Sequence, residues 1–262
     1  MKLRHSLSLA ALLLWVGSAS AAVDTATLDK VYVEPPRAGT ALPLSLTFHD
    51  ENDRPLPLSQ AFDAPAVVLV FADYTCHTLC GPILDFTTSA LQQTGLRAGA
   101  DYRLVVIGLD PKDAIDTARG MKQSHLGDGG PIARSAAFLT GTAAAIAQAT
   151  TALGYHYAYD SEHDQFAHPA AAFVLTRTGK VTRVLSGLGL NGTDMHLALL
   201  EAGQGQVGTL ADRFRLLCYG YDPSRGIYTT RIVFLLELSG ALTLAIMAGG
   251  ILVMHRMTRA PS

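Results

Sequence analysis

A buried strand that runs directly into two cysteines constrains this chain more than any other feature. Val67 to Phe71 is a continuous apolar run, and Cys76 and Cys80 follow it at the start of a helix-like segment. Their spacing is about one helical turn, so both thiols are expected on one helix face, at the end where the helix dipole favours thiolate. Such a pair supports a reversible disulfide or a soft metal ion. A structural disulfide and two small core residues are the plainer alternatives.

Both ends of the chain predict a membrane location. Residues 1–21 have the basic start, the apolar stretch and the small-residue cleavage signal of a signal peptide. Residues 232–254 form an apolar span of 23 residues, long enough to cross a bilayer about 30 Å thick. Arg256 and Arg259 follow this span and are expected to stay in the cytoplasm. Unless the signal acts as an uncleaved anchor, we therefore expect a single-pass protein of the inner (cytoplasmic) membrane, with its soluble domain on the periplasmic side.

Charge and cysteine content exclude two classes of protein. The formal net charge is −2 without a basic block, which argues against nucleic acid as a partner. Three cysteines are too few for a disulfide scaffold. In an oxidising compartment Cys76 and Cys80 are expected to form a disulfide unless they are reduced or metallated. Cys218 is then the odd cysteine, either idle in packing or active in redox or metal chemistry. Glu237, the one charge within the apolar span, either snorkels, faces a partner helix or has a function.

Strands and helices alternate along the soluble part, which is the order of a thioredoxin-like α/β sandwich. An antiparallel hairpin of residues 44–48 and 55–58 is expected ahead of the main sheet. The further predicted elements are strands at 67–71, 102–109, 136–139, 171–176 and 181–185, and helices at 80–94, 111–124, 142–153 (with Thr142 as N-cap) and 194–202. The predicted organisation is a signal peptide at 1–21, a lead-in at 22–43, the thioredoxin-like domain with its hairpin extension at 44–203, a juxtamembrane connector at 204–231, a C-terminal transmembrane helix at 232–254 and a cytoplasmic tail at 255–262.

A histidine decides between the candidate chemistries, because a metal site needs more than two ligands. His168 stands immediately before the predicted strand at 171–176, which in a thioredoxin-like sheet lies beside the first strand. His168 and the two cysteines are therefore expected to meet. Two thiolates and one imidazole form a soft three-ligand set that suits copper, especially Cu(I), whereas zinc usually takes a fourth ligand. A histidine that only caps the strand end is the alternative. Asp73 is either a supporting partner that tunes the thiols or a solvated residue.

Three patches of the sequence resemble the SCO/SenC family. This family comprises membrane-tethered, thioredoxin-like copper proteins that help to assemble the binuclear copper centre of cytochrome c oxidase. The patches are residues 74–80, residues 106–113, and His168 ahead of its strand. Together they extend over residues 44–202, which is essentially the whole predicted soluble domain.

The resemblance implies a set of site residues and a function. Cys76, Cys80 and His168 would be the copper ligands, for Cu(I), Cu(II) or both, and Asp110 would support the site. The chain would be an assembly factor that delivers copper to the copper subunit of a respiratory oxidase and reduces that subunit's cysteines where needed. Other periplasmic copper chaperones or thiol reductants would be further partners.

Two other functions are weighed against copper delivery. The first is a periplasmic thiol–disulfide oxidoreductase that uses Cys76 and Cys80 without an obligatory metal. A metallochaperone is favoured over an enzyme, with thiol–disulfide reductase activity left open. The second is a binding module that has lost its chemistry, which the retained cysteines and histidine disfavour.

Overall fold

The computed structural model describes residues 30–75, 81–127, 129–161, 164–204, 219–222, 227–230, 240–244 and 246–250. All three cysteines, the predicted signal peptide, Glu237 and much of the predicted transmembrane span lie outside the described residues. The elements in chain order are β1 (Tyr32–Val33), β2 (Thr47–His49), β3 (Pro55–Pro57), α1 (Leu58–Ala61), β4 (Ala66–Ala72), α2 (Gly81–Gln93), β5 (Tyr102–Gly108), α3 (Ile115–Leu126), α4 (Pro131–Ser135), β6 (Ala137–Leu139), α5 (Ala143–Ala152), β7 (Tyr155–His156), β8 (Ala158–Asp160), β9 (Gln165–Ala167), β10 (Ala171–Thr176), β11 (Val181–Ser186), α6 (Gly192–Ala202), β12 (Tyr219–Asp222) and β13 (Ile227–Thr230).

A mixed five-stranded sheet forms the centre of the fold, in the order β11–β10–β4–β5–β6. Strands β4, β5 and β6 run parallel, and β10 is antiparallel to both β4 and β11. Every residue of β4 is buried, as expected for a strand in the middle of a sheet that is covered on both faces. The thioredoxin-like order of elements, the N-terminal hairpin and the position of β10 beside β4 are confirmed.

Side chains of β4 alternate between two apolar cores, one on each face of the sheet. Val68 and Val70 belong to the core that α2, α3 and α6 cover. Leu69 and Phe71 belong to the core that the β2–β3 hairpin, α1 and α5 cover. Because both faces are covered, the ends of the strands are the places where polar side chains can act on a ligand.

Two parts of the predicted element order are wrong. Helix α3 begins at Ile115 rather than at residue 111, because Asp110 closes a turn with its Oδ1, which accepts the Lys112 N–H at 2.8 Å. The prediction also lacked β1, β7, β8 and β9, which are only two or three residues long, the short helices α1 and α4, and the strand pair β12–β13, which lies inside the predicted juxtamembrane connector at 204–231. The predicted N-cap of α5 is confirmed, since Thr142 Oγ1 accepts a backbone N–H at 3.2 Å.

Within the part of the chain that the structure describes, no helix is both long and apolar enough to span a bilayer. Helical backbone is present at 240–244 and 246–250, inside the predicted span at 232–254. The signal peptide, the transmembrane helix and the orientation across the membrane stay predictions.

Candidate metal and thiol site

Described residues flank the cysteine segment on both sides at the carboxyl end of β4. Strand β4 ends at Ala72, residues 73–75 lead towards Cys76, and α2 begins at Gly81. Ligand sites of open α/β sheets form at this edge, outside the carboxyl ends of the parallel strands. Cys76 and Cys80 lie outside the described residues, so their pairing and their role as ligands stay predictions.

Asp73, three residues before Cys76 in the sequence, is buried, with 0 % of its surface exposed. Its Oδ1 accepts hydrogen bonds from the backbone N–H and the hydroxyl of Thr75, at 2.9 and 2.8 Å. Its Oδ2 accepts the backbone N–H of Phe166 in β9 at 2.7 Å, from 93 residues further along the chain. The interpretation of Asp73 as a solvated residue is therefore wrong, whereas tuning of the thiols by Asp73 stays a prediction.

Tyr74 anchors the same segment to the sheet. Its hydroxyl lies 3.0 Å from the carbonyl oxygens of Val106 in β5 and Leu139 in β6. Burial raises the pKa of Tyr74 well above its usual value, so the phenol stays neutral and keeps its proton for these acceptors. Tyr74 was not among the predicted site residues. A tyrosine at the end of a buried strand, where its hydroxyl needs a partner, was the available signal.

His168 lies in the connection between β9 and β10, where Tyr155 fixes its ring. The Tyr155 hydroxyl donates to the Pro169 carbonyl at 2.9 Å and lies 3.0 Å from His168 Nδ1. His168 Nδ1 also lies 3.3 Å from the Pro169 carbonyl oxygen, which can only accept, so the contacts of this nitrogen are best met with the ring proton on Nδ1. The neutral ring then carries its lone pair on Nε2, which is buried. This is how metal-ligating histidines are oriented, through a hydrogen bond at the other ring nitrogen.

Asp110 is buried at the carboxyl end of β5 and belongs to the β5–α3 turn. Besides the bond from the Lys112 amide, its Oδ2 lies 3.7 Å from Lys112 Nζ. The same ammonium reaches Asp164 Oδ1 at 3.3 Å and lies 5.7 Å from the centre of the Tyr159 ring. Lys112 thus links this turn to the β8–β9 hairpin, which precedes His168. Support of a metal site by Asp110 stays a prediction.

Asp113 is a third carboxylate at this edge, and it was not among the predicted site residues. Both carboxylate oxygens are buried, and no described residue donates them a hydrogen bond of ordinary geometry. Burial and the negative charges of Asp73 and Asp110 raise the pKa of Asp113 to about 7, against the opposing effect of backbone N–H groups at Tyr74 and Asp110. Asp73, Asp110 and Asp113 are called the acidic cluster below.

Among the described residues, no group of three or more histidine, cysteine, aspartate and glutamate side chains is arranged to hold a metal ion. His168 is the one predicted ligand whose position is described. The orientation of its ring and the burial of Nε2 fit a metal ligand. The alternative of a histidine that only caps the strand end is left open by the same contacts.

Fold and site together define a class of protein. A mixed sheet covered on both faces, with a cysteine pair directly after its central strand, is typical of thioredoxin-like proteins. Such a protein is suited to thiol or metal chemistry. The family model of SCO1/SenC matches residues 39–199, which is more than half of the chain. The chain belongs to the SCO1/SenC family. Among curated proteins, no sequence matches it.

Solved structures agree with this assignment at the level of the fold. A SCO1/SenC family lipoprotein from Bacillus anthracis str. Ames is 18 % identical, with a TM-score of 0.52 over 62 % of this chain and 96 % of that chain. BsSco, a member of the Sco family of cytochrome c oxidase assembly proteins, is 17 % identical, with a TM-score of 0.52 over 65 % and 99 %. A candidate electron transfer protein from Aquifex aeolicus VF5 is 19 % identical, with a TM-score of 0.56 over 63 % and 93 %.

Proposed function

We propose that this chain is a copper-binding assembly factor that delivers copper to the copper subunit of a respiratory oxidase. Cys76, Cys80 and His168 are the proposed ligands. Family membership supports the proposal, and so does the similarity to BsSco, which belongs to a family of cytochrome c oxidase assembly proteins. The observation that carries the proposal is the Tyr155–His168 hydrogen bond, which leaves the buried Nε2 as the basic ring nitrogen at the edge of the sheet.

Copper is the cargo of this protein, and the ligand set suits a cargo that must leave again. Two thiolates and one imidazole bind Cu(I) well but leave the ion open to an incoming ligand. Both cysteines must be reduced and deprotonated to bind, so loading releases protons and depends on the redox state. Transfer proceeds by stepwise exchange, in which thiolates of the receiving subunit replace Cys76 and Cys80.

A buried acid favours a second activity on the same cysteines. Asp113, whose pKa is raised to about 7, lies beside Gly108 at the end of β5, as the ring of Tyr74 does, and it can take up or release a proton at neutral pH. In this activity one thiolate attacks a disulfide of the target and forms a mixed disulfide. The second cysteine then closes the Cys76–Cys80 disulfide, and the target leaves as a dithiol. Two electrons pass to the target, so reduction of a target site can precede its metallation.

The location proposed for the protein rests on the sequence of its two ends. Residues 1–21 are proposed to act as a signal peptide and residues 232–254 as a single transmembrane helix. The soluble domain would then face the periplasm from the inner membrane. This location suits a donor of copper to a membrane-bound oxidase.

A competition titration with a Cu(I) chelator tests the proposal on the reduced, purified full-length chain. We expect one copper per wild-type chain, loss of tight binding in Cys76→Ser, and binding at least about tenfold weaker in His168→Ala. His125→Ala is the matched control, because this histidine pairs with Asp85 on the helical face of the protein. A reduced wild type that binds no copper, together with an oxidised wild type that exchanges its disulfide readily, would overturn copper delivery in favour of thiol–disulfide exchange.

A further inference from the structure

Asp73 connects the two chain segments that carry the proposed ligands. One carboxylate oxygen holds Thr75, next to Cys76, and the other holds the backbone of Phe166, two residues before His168. An aspartate that only closes a local turn uses its side chain on residues two or three further along the chain. The bond to Phe166 serves no local turn, because it spans 93 residues of sequence.

Burial of this carboxylate is costly without a cation beside it. Asp73 takes part in none of the ion pairs between described residues, and its burial is compensated by three neutral donors. Burying a charge is unfavourable unless hydrogen bonds or a partner charge compensate it. Asp73 also acts on the carboxyl group of Asp113, where its negative charge and that of Asp110 raise the pKa. A buried carboxylate without a cation beside it is more typical of a functional site than of a residue that stabilises the fold.

We propose that Asp73 is a positioning residue for the copper site and that it acts through His168. Its carboxylate holds the approach to Cys76 and the approach to His168 at one fixed separation, so that thiolate and imidazole can share an ion. This inference rests on the proposed function, because it assumes that Cys76, Cys80 and His168 bind the same copper.

The variant Asp73→Asn keeps the shape of the side chain but breaks the connection. Its amide oxygen can still accept from Thr75, but its NH₂ group then faces the Phe166 N–H, donor to donor. The matched control is Asp50→Asn. Asp50 is also buried and accepts backbone N–H groups of Asn52 and Arg54 at 2.9 Å each, but it contacts none of the proposed ligands that are described.

A double-mutant cycle on Cu(I) affinity separates positioning from general destabilisation. We expect Asp73→Asn and His168→Ala each to weaken binding by about 10- to 100-fold. The double variant is expected to bind within about twofold of His168→Ala, because Asp73 then has no histidine left to position. X-ray absorption of the copper-loaded Asp73→Asn protein should show a loss of nitrogen ligation with both sulfur ligands retained, and Asp50→Asn should match the wild type.

Two further measurements test whether a folding defect causes the loss of copper binding. Thr75→Val removes only the 2.8 Å hydroxyl bond of an exposed residue and should weaken copper binding less than Asp73→Asn does. In the copper-free protein, hydrogen exchange of the Phe166 amide should become faster in Asp73→Asn and stay unchanged in Asp50→Asn.

The outcomes distinguish the two proposals. Unchanged copper affinity in Asp73→Asn, or losses that simply add in the double variant, would overturn the positioning role while leaving copper delivery intact. A wild-type chain that binds no copper would refute the proposed function at the first step, and the positioning role with it.

Discussion

Two acidic regions of the molecule handle buried carboxylates in opposite ways. In the turn after β2, Asp50 Oδ2 accepts hydrogen bonds from Arg54 Nε and Nη2 at 2.9 and 2.6 Å. Burial raises the pKa of Asp50, but the hydrogen bonds from Arg54 and Asn52 outweigh it and lower the pKa below its usual value. In the acidic cluster at the ends of β4 and β5, the pKa of Asp113 is instead raised to about 7.

These opposite pKa shifts show where a buried negative charge stabilises the fold and where it does not. The Asp50 turn neutralises its charge with a cation four residues away, so it needs no other part of the chain. The acidic cluster collects carboxylates from two strand ends, and among the described residues its ion pair is the one between Asp110 and the largely exposed Lys112. Clusters with perturbed pKa values at strand ends are more typical of functional sites than of stabilising turns.

The largest effect on stability is expected from Asp113→Asn, and it should depend on pH. The folded protein binds the Asp113 proton more tightly than the unfolded chain does, because the pKa rises from 3.8 to about 7. The carboxyl therefore costs nothing below about pH 4, an increasing amount between pH 4 and 7, and its full amount above pH 7. Allowing for partial solvent access, we expect the variant to be about 2 kcal/mol more stable than the wild type at pH 8 and equally stable at pH 4.

Urea unfolding of both proteins at pH 4, 6 and 8 measures this difference. A gain in stability that is the same at all three pH values would mean that the pKa of Asp113 is the same in the folded and the unfolded protein. The contrast between the two acidic regions would then be wrong. Asp116→Asn is the control, because Asp116 is exposed on α3 and pairs with Arg119 near the surface.

A smaller change in stability, of the opposite sign, is expected from Asp50→Asn. Because its pKa is lowered in the folded protein, the stability that Asp50 contributes is present above the usual value of 3.8 and is lost as the pH falls through the folded pKa. We expect the variant to lose about 1 kcal/mol at pH 7, with the difference from the wild type closing towards pH 2. Thermal unfolding midpoints across this range check the prediction. A variant as stable as the wild type at pH 7 would remove the stabilising role of the turn.

Local signals were sufficient to predict most of the fold. The β-branched run of β4 predicted its strand, Thr142 predicted the start of α5, and the segment after His168 predicted β10 beside β4. Each of these depends on neighbours in sequence or on a known order of elements. The strand pair β1–β7 was not predictable, because Tyr32 pairs with His156 across more than half of the domain and both strands have only two residues.

The site was predictable only in its residue types. A cysteine pair after a buried strand and a histidine before another indicated soft ligands at one edge of the sheet. The partner of each ligand segment was not predictable: the contacts of Asp73 with Phe166 and of His168 with Tyr155 depend on how the β8–β9 hairpin packs. The pKa of Asp113 likewise depends on burial, which no local pattern indicated.

The smallest effect on stability is expected from Lys112→Met. This variant tests whether a cation neutralises the negative charge of the acidic cluster. Lys112 Nζ lies 3.3 Å from Asp164 and 3.7 Å from Asp110, but about two thirds of its side chain is exposed, so water and salt screen both contacts. We expect the unfolding midpoint at pH 7 to change by less than about 2 °C, and the change to vanish at 1 M salt. A large loss of stability at any salt concentration would show that Lys112 neutralises the cluster. The cluster would then resemble the Asp50–Arg54 turn, and the raised pKa of Asp113 would be a consequence of burial alone.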